Sequence, residues 1–141
     1  MITIDRADLA APGLRGLVHD AGLPLDGLGD VPTDVFAAHD RDLLVGVAAL
    51  EHHGRHGLLR SVAVRAGRRG EGIGTALVAA VERHARAAGV DGLYLLTDTA
   101  AAFFAERGYE VIARSSGPAP VMASVEWATA CGDTAVPMVL R

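Results

Sequence analysis

Arg68-Arg69-Gly70-Glu71-Gly72-Ile73-Gly74-Thr75 is the stretch that decides the fold. It stands between Leu59-Arg60-Ser61-Val62-Ala63-Val64, an apolar run with strand character, and a segment that places Leu77, Val78, Val81, His84 and Ala85 on one helical face. A helix that starts on such a loop leaves its first N–H groups without intrahelical partners, at the positive end of the macrodipole. Glycines let a phosphate come close to those groups, so the loop suits a pyrophosphate. Two nucleotide-binding loops fail on their own requirements. A dinucleotide fingerprint needs a third glycine where Leu77 stands, and a Walker loop needs a lysine, of which the chain has none.

Working outward, the helix after the loop ends at Gly89, a residue suited to the C′ position. Leu93 to Leu96 reads as a buried strand, and Thr97 to Thr99 can cap a helix through Phe103 that Gly108 ends. Tyr109 to Ala113 is a further strand. Gly117, Pro118 and Pro120 mark a break, Val121, Val125 and Ala128 suggest one more helix closed by Gly132, and Ala135 to Leu140 is a last strand. Upstream, Ile2 to Arg6 is a strand, and Leu9, Leu14, Leu17 and Val18 recur at helical spacing as far as Gly22. Residues 22–34, rich in Gly, Pro and Asp, read as a loop over a cleft. Strands at Val35 to His39, Leu43 to Glu51 and Leu58 to Val64 follow, the last two joined by a hairpin at His53 to Gly57. The order β-α-β-β-β-α-β-α-β-α-β predicts a single α/β domain over residues 1–141, with a sheet of mixed direction.

Composition narrows the function. The net charge of −4 gives no basic patch for nucleic acid, and no apolar run reaches the length of a membrane span. The start Met1-Ile2-Thr3-Ile4-Asp5-Arg6 lacks the pattern of a signal peptide, so a cytoplasmic protein is expected. Cys131 is the only cysteine, which rules out an intrachain disulfide and a thiolate metal cluster. All 13 basic residues are Arg, so no catalytic lysine is available.

The pattern Arg69-x-x-Gly72-x-Gly74 resembles the [QR]-x-x-G-x-[GA] signature of the GNAT superfamily of N-acetyltransferases. Phe103-Phe104-Ala105-Glu106-Arg107-Gly108-Tyr109 is similar to that superfamily's final helix and its exit. Within it, Leu93 to Ala100 with Phe103 and Phe104 resembles a run in the arsenic-resistance-associated N-acetyltransferases and, more distantly, in N-acetylglutamate synthases. Pro120 to Trp127 with Cys131 is similar to the former group's helix near the C-terminus.

The resemblance implies the GNAT fold, a mostly antiparallel twisted sheet flanked by helices, and acetyl-CoA as co-substrate without a metal. Val62, Ala63 and Val64 are then expected to pair with the pantetheine arm, and the N–H groups of Arg68, Arg69, Gly70, Glu71, Gly72, Ile73, Gly74 and Thr75 to bind the pyrophosphate. Two strands should part after Val64 to admit the thioester, with Thr97, Phe103 and Phe104 beside the coenzyme. Transfer to the amine of a small amino acid or amino-acid-like compound is direct, through a tetrahedral intermediate and without an acyl-enzyme. An acceptor carboxylate would need a cation, for which Arg60 is the choice, since a guanidinium forks onto a carboxylate. Phe36, Ser124 and Trp127 are the other candidates for the acceptor pocket. A peptide N-terminus as acceptor, or a coenzyme-binding module with little turnover, are the alternatives.

Glu51, at the end of its strand, is the candidate general base. His52, His53 and His56 span a hairpin turn and read as solvated rather than metal-binding. The acid is in question: where many members of the superfamily carry Tyr and Asn, this chain has Phe104 and Thr97. Phe104 has no proton to give, which leaves Tyr109, a water, or departure of the thiolate without an acid. Trivalent arsenic is held by two or three thiolates and only Cys131 is available, so direct arsenic binding is not expected and any link to arsenic would run through the acceptor. Dimers are frequent in the superfamily that the chain resembles, and the last strand is the place where pairing or exchange into a homodimer could occur.

Overall fold

The computed structural model describes residues 1–141, Ala130 by its backbone only. In chain order the elements are β1 (Ile2–Ala7), α1 (Leu14–Asp20), β2 (Thr33–Asp40), β3 (Leu43–His53), β4 (His56–Val64), α2 (Ile73–Ala87), β5 (Gly92–Thr97), α3 (Ala101–Glu106), β6 (Glu110–Val111), α4 (Ala119–Met122) and β7 (Val136–Leu140). A 3-10 turn, Arg114–Ser116, precedes α4 and a π-helical turn, Glu126–Ala130, follows it. One sheet runs β1-β2-β3-β4-β5-β7-β6. Only β4 and β5 pair in parallel; every other neighbour is antiparallel. No helix among the described residues is long and apolar enough to cross a membrane.

Side-chain alternation along the strands gives the sheet two buried faces. On one, α2 lays Leu77, Val78, Val81 and Ala85 onto Phe36, Ala38, Val45, Ala48, Leu50 and Leu59. The other face is shared. Leu14, Leu17 and Val18 of α1 cover Val35, Ala37, Val47 and Ala49, while Val121 and Trp127 cover Leu58, Tyr94 and Val139. Glu51 follows Val47 and Ala49 in alternation, and Arg60 follows Leu58, so both belong to this second face, between its two apolar clusters.

Three expectations need correction. The first helix starts at Leu14 and not near Leu9, because Gly13 at φ 79° reverses the chain just before it. The predicted helix over Val121 to Ala128 is broken: Ser124 Oγ donates to the Val121 carbonyl at 2.6 Å, diverting the ladder before the π-helical turn begins. The last strand offers no free edge for pairing with a second copy. β7 is hydrogen-bonded on both sides, to β5 and β6, so the sheet's edges are β1 and β6.

β4 carries the feature that opens a site. It pairs with β5 only over His56–Leu58 against Gly92–Tyr94. The two strands therefore fork after Leu58, earlier than the Val64 expected from the sequence, and residues 59–64 have no strand on that side. On the other side the register against β3 slips between Val47 and Ala49, where Ser61 and Val62 stand opposite Ala48 alone. Ser61 at φ 59° takes the left-handed conformation this bulge requires.

Candidate active site

The glycine loop meets the fork at the far end of β4. Gly70 and Gly72 both have φ of 83°, a conformation that disfavours side chains, and a Cβ at either would meet nothing within 4 Å. Gly72 is the N-cap of α2 and supplies no side-chain acceptor. The first ladder bond runs from Ala76 N–H to the Gly72 carbonyl at 3.0 Å, so the N–H groups of Ile73, Gly74 and Thr75 precede it. These open donors, with a helix dipole behind them, fit an anion such as a pyrophosphate. Along the fork, the backbone edge of residues 59–64, which includes Val62, Ala63 and Val64, is unpaired with β5 and suits a ligand with peptide-like amides, although the Val64 carbonyl accepts from Arg69 Nε at 3.4 Å.

The charged residues of the loop are partly engaged with one another. Arg68 donates from Nε to Glu71 at 3.0 Å and from Nη2 to Asp40 at 3.0 Å. Hydrogen bonds to Glu71, then to Asp40, raise the Arg68 pKa. Arg69 is exposed. Thr97 closes β5, its Oγ1 accepting the Ala100 N–H at 2.9 Å at the start of α3. Phe103 is half-buried, whereas Phe104 is enclosed in the α2-side core with its ring centroid 5.2 Å from that of Tyr109.

Tyr109, the candidate acid, has its hydroxyl engaged by α2. It is buried, and its hydroxyl donates to Glu82 Oε2 on α2 at 2.9 Å beside the Arg107–Glu82 ion pair. Burial, then the Glu82 charge, pushes its pKa far above the usual phenol range. With its hydroxyl so engaged, Tyr109→Phe is expected to lower stability by about 2 kcal/mol, the worth of a hydrogen bond to a charged group, with turnover unchanged. Urea unfolding beside an acetyl-transfer assay reads both.

At the fork's closed end, Glu51 stands in register opposite Leu58, the last β4 residue paired with β5. Its carboxylate is buried and fully engaged, with Oε1 2.8 Å from His53 Nε2 and Oε2 accepting from Arg60 Nη1 at 2.9 Å. Arg60 therefore does not present itself to an acceptor. Its side chain has no exposed surface, and Nη2 donates to the Pro24 carbonyl at 3.0 Å while Nε lies 3.4 Å from Glu126 Oε1. Glu126 is also buried, and its Oε2 has no hydrogen-bond partner. Burial dominates its titration. Arg60 opposes that effect and Glu51 adds to it, so the carboxyl is pushed up to about 7. The Arg60 contact is the longer of the two that this guanidinium makes to carboxylates, and Arg60 offsets the burial of Glu126 only in part.

Glu51 and His53 line a cavity of about 170 Å³ with Asp30, Ser124 and Val125. Ser124 is where the sequence places it. Two other acceptor candidates are elsewhere. Phe36 lies under α2 on the opposite sheet face, edge-on to His84. Trp127 packs on Tyr94 and Leu58, its indole N–H donating to the Arg114 carbonyl at 3.0 Å. A larger, shallow hollow beside Trp127, lined by Arg114, Met122 and Asp133, shares no residue with the Glu51 cavity.

The hairpin histidines are not a solvated cluster. His53 turns to Glu51, His52 to Asp34 on the other sheet face, and His56 sets its ring edge-on to Tyr94. Sequence reasoning missed His53 and Glu126 as site residues. His53 had a signal, since alternation puts it on the face of Glu51; Glu126 had none, its partners being remote in the chain. Cys131 offers no nucleophile: burial, then the Glu126 and Asp98 charges, pushes its thiol up to about 11.

A strand fork, a helix start with open N–H donors and a carboxylate–imidazole pair where the fork closes define an acyl-transfer fold. Residues 32–111, more than half of the chain, match the acetyltransferase (GNAT) domain, and the chain belongs to that family. Among solved structures it is similar to N-acetylglutamate synthase from Neisseria gonorrhoeae in complex with coenzyme A and N-acetyl-glutamate (TM-score 0.80, 19% identity), covering 100% of this chain and 35% of that one. The chain thus spans about a third of that synthase's length. Rv2747 from Mycobacterium tuberculosis, solved with CoA, is 24% identical with a TM-score of 0.80, over 98% of both chains. The ribosomal-protein-S18-alanine N-acetyltransferase from Escherichia coli is 17% identical with a TM-score of 0.71, over 99% of this chain and 93% of that one. No curated protein matches the chain.

Proposed function

We propose that the protein transfers the acetyl group of acetyl-CoA directly to the amine of a small amino acid or amino-acid-like compound. The observation that carries the small acceptor is a roof over the cavity. A Cβ on Gly27 would come within 2.5 Å of Val125 Cβ, so the loop of residues 22–34 touches the segment after α4 above Glu51 and His53. A peptide chain needs an open groove there. The N-acetylglutamate synthase neighbour and the run at Leu93 to Ala100 support an amino-acid-like acceptor.

Acetyl-CoA supplies the activated acetyl group, held by the free edge of residues 59–64 and the α2 N–H groups. The chain's own task is to take a proton from the acceptor ammonium. Both Glu51 oxygens are engaged, which makes Glu51 an orienting carboxylate and passes the base role to His53. With Nε2–H donating to Glu51, His53 keeps a lone pair on Nδ1, the tautomer a general base needs. The thiolate leaves without a protein acid, as its modest basicity allows.

Thiol release from acetyl-CoA against amino acids, amino-acid-like compounds without a carboxylate, polyamines and short peptides tests this. Release is expected with one amino-acid-like class, falling by about 10²–10⁴-fold in His53→Ala and less in Glu51→Gln. Release with peptides alone moves the function to N-terminal acetylation of proteins. Silence with coenzyme still bound leaves a binding module.

A further inference from the structure

On the sheet face opposite the acetyl-transfer cavity, three side chains from three elements meet at one oxygen. Asp34 Oδ2 on β2 lies 2.7 Å from His52 Nε2 on β3 and 2.7 Å from His84 Nε2 on α2. The three ligand atoms lie within 4.8 Å of one another. The register explains the meeting. Asp34 stands opposite Leu50, so His52 is its diagonal neighbour on the same face, and α2 crosses above with His84 near its end. Neither the coenzyme sites nor the Glu51–His53 pair makes use of this cluster.

We propose that Asp34, His52 and His84 form a binding site for a divalent transition-metal ion of the zinc type. Two imidazoles and one carboxylate are a borderline nitrogen–oxygen donor set, which suits Zn²⁺ and not the all-oxygen preference of Ca²⁺ or Mg²⁺. Arg6 donates from Nη2 to Asp34 Oδ1 at 2.6 Å, fixing the carboxylate from behind and leaving Oδ2 for the ion. Phe36, edge-on at 5.4 Å, holds the His84 ring. Side-chain exposures of 25%, 23% and 29% for His52, Asp34 and His84 leave the ion a path and a water to complete four-coordination.

The geometry needs a small adjustment. Tetrahedral zinc with bonds near 2.0–2.1 Å spaces its ligands roughly 3.3 Å apart, so the pairs now at 2.7 Å open by a fraction of an ångström. Each imidazole moves its proton from Nε2 to Nδ1, and no net proton is released from neutral rings. The ion then ties β2, β3 and α2 together on the α2 side of the sheet.

Isothermal titration of the chelator-stripped full chain with Zn²⁺, with Co²⁺ as an absorbing probe, tests the site. One equivalent at micromolar affinity is expected, with a four-coordinate Co²⁺ spectrum and a Zn²⁺-dependent rise in Tm. His84→Ala and His52→Ala should each weaken binding at least tenfold and abolish the rise in Tm, while His19→Ala, on an exposed pair with Asp20, changes neither. Circular dichroism identifies which of the two variants is folded, and either suffices. Absence of saturable binding in the parent protein, or unchanged affinity in a folded His84→Ala or His52→Ala variant, overturns the proposal.

Discussion

Arg60→Ala is expected to destabilise the protein by about 3–5 kcal/mol, the loss seen when one partner of a buried charge group is removed. The guanidinium is enclosed between Glu51 and Glu126, which are themselves only 2% and 4% exposed. Removing it leaves both carboxyl groups in the interior without a counter-charge, and the Pro24 carbonyl without its donor. Against a total stability of about 5–15 kcal/mol for an ordinary domain, that is a large share. The loss should shrink at pH 5, where the Glu126 carboxyl, raised to about 7, is protonated and needs no counter-charge, and urea midpoints at pH 5 and pH 8 measure it. Replacing the whole group, Glu51→Leu with Arg60→Met and Glu126→Leu, should recover most of the stability, because an apolar cluster of similar volume leaves nothing to compensate. A folded Arg60→Ala variant of parental stability, with a raised KM for carboxylate-bearing acceptors alone, would instead make Arg60 the clamp that its residue type suggests.

The contrast between Arg60 and the glycine loop shows what a sequence can tell. The loop is local: two glycines at positive φ, a helix start and the preceding strand lie within one short stretch, and each has its own residue signature. The same holds for the order of strands and helices, which turn residues and periodicity mark out. Arg60 has a legible type but an illegible environment. Its neighbours Pro24, Glu51 and Glu126 come from distant segments, and nothing in the local pattern says that two carboxylates already occupy it. Tyr109 is similar: its phenol suggests an acid, but its hydroxyl is claimed by Glu82 of α2, remote in the chain. Phe36 shows the smaller failure. Alternation gives a strand two faces, both buried here, and only the packing of α2 on one of them shows that Phe36 lies away from the Glu51 cavity. The fork of β4 from β5 came earlier than expected because strand runs predict where strands lie and not where their pairing stops.

Glu126→Gln is expected to change how stability depends on pH. The wild-type carboxyl, raised by burial from an ordinary 4.5 to about 7, holds a proton in the folded chain that the unfolded chain has already released between those values. Below pH 4.5 both states hold it and the group contributes nothing. As pH rises through the window, folding must retain a proton that the solvent takes ever more readily, so stability falls, and above pH 7 a penalty of about 3 kcal/mol is complete. The sign is opposite to that of a salt-bridged carboxylate, whose contribution is lost towards acid. Glutamine fills nearly the same volume and cannot ionise, so the variant should match the parent near pH 5 and exceed it by up to about 3 kcal/mol at pH 8. Urea midpoints across that range read the divergence. A gap of constant size and opposite sign would mean that Glu126 is ionised throughout and holds Arg60 as a true ion pair. In that case the 3.4 Å contact, and not burial, decides the charge state of the cluster behind the acetyl-transfer cavity.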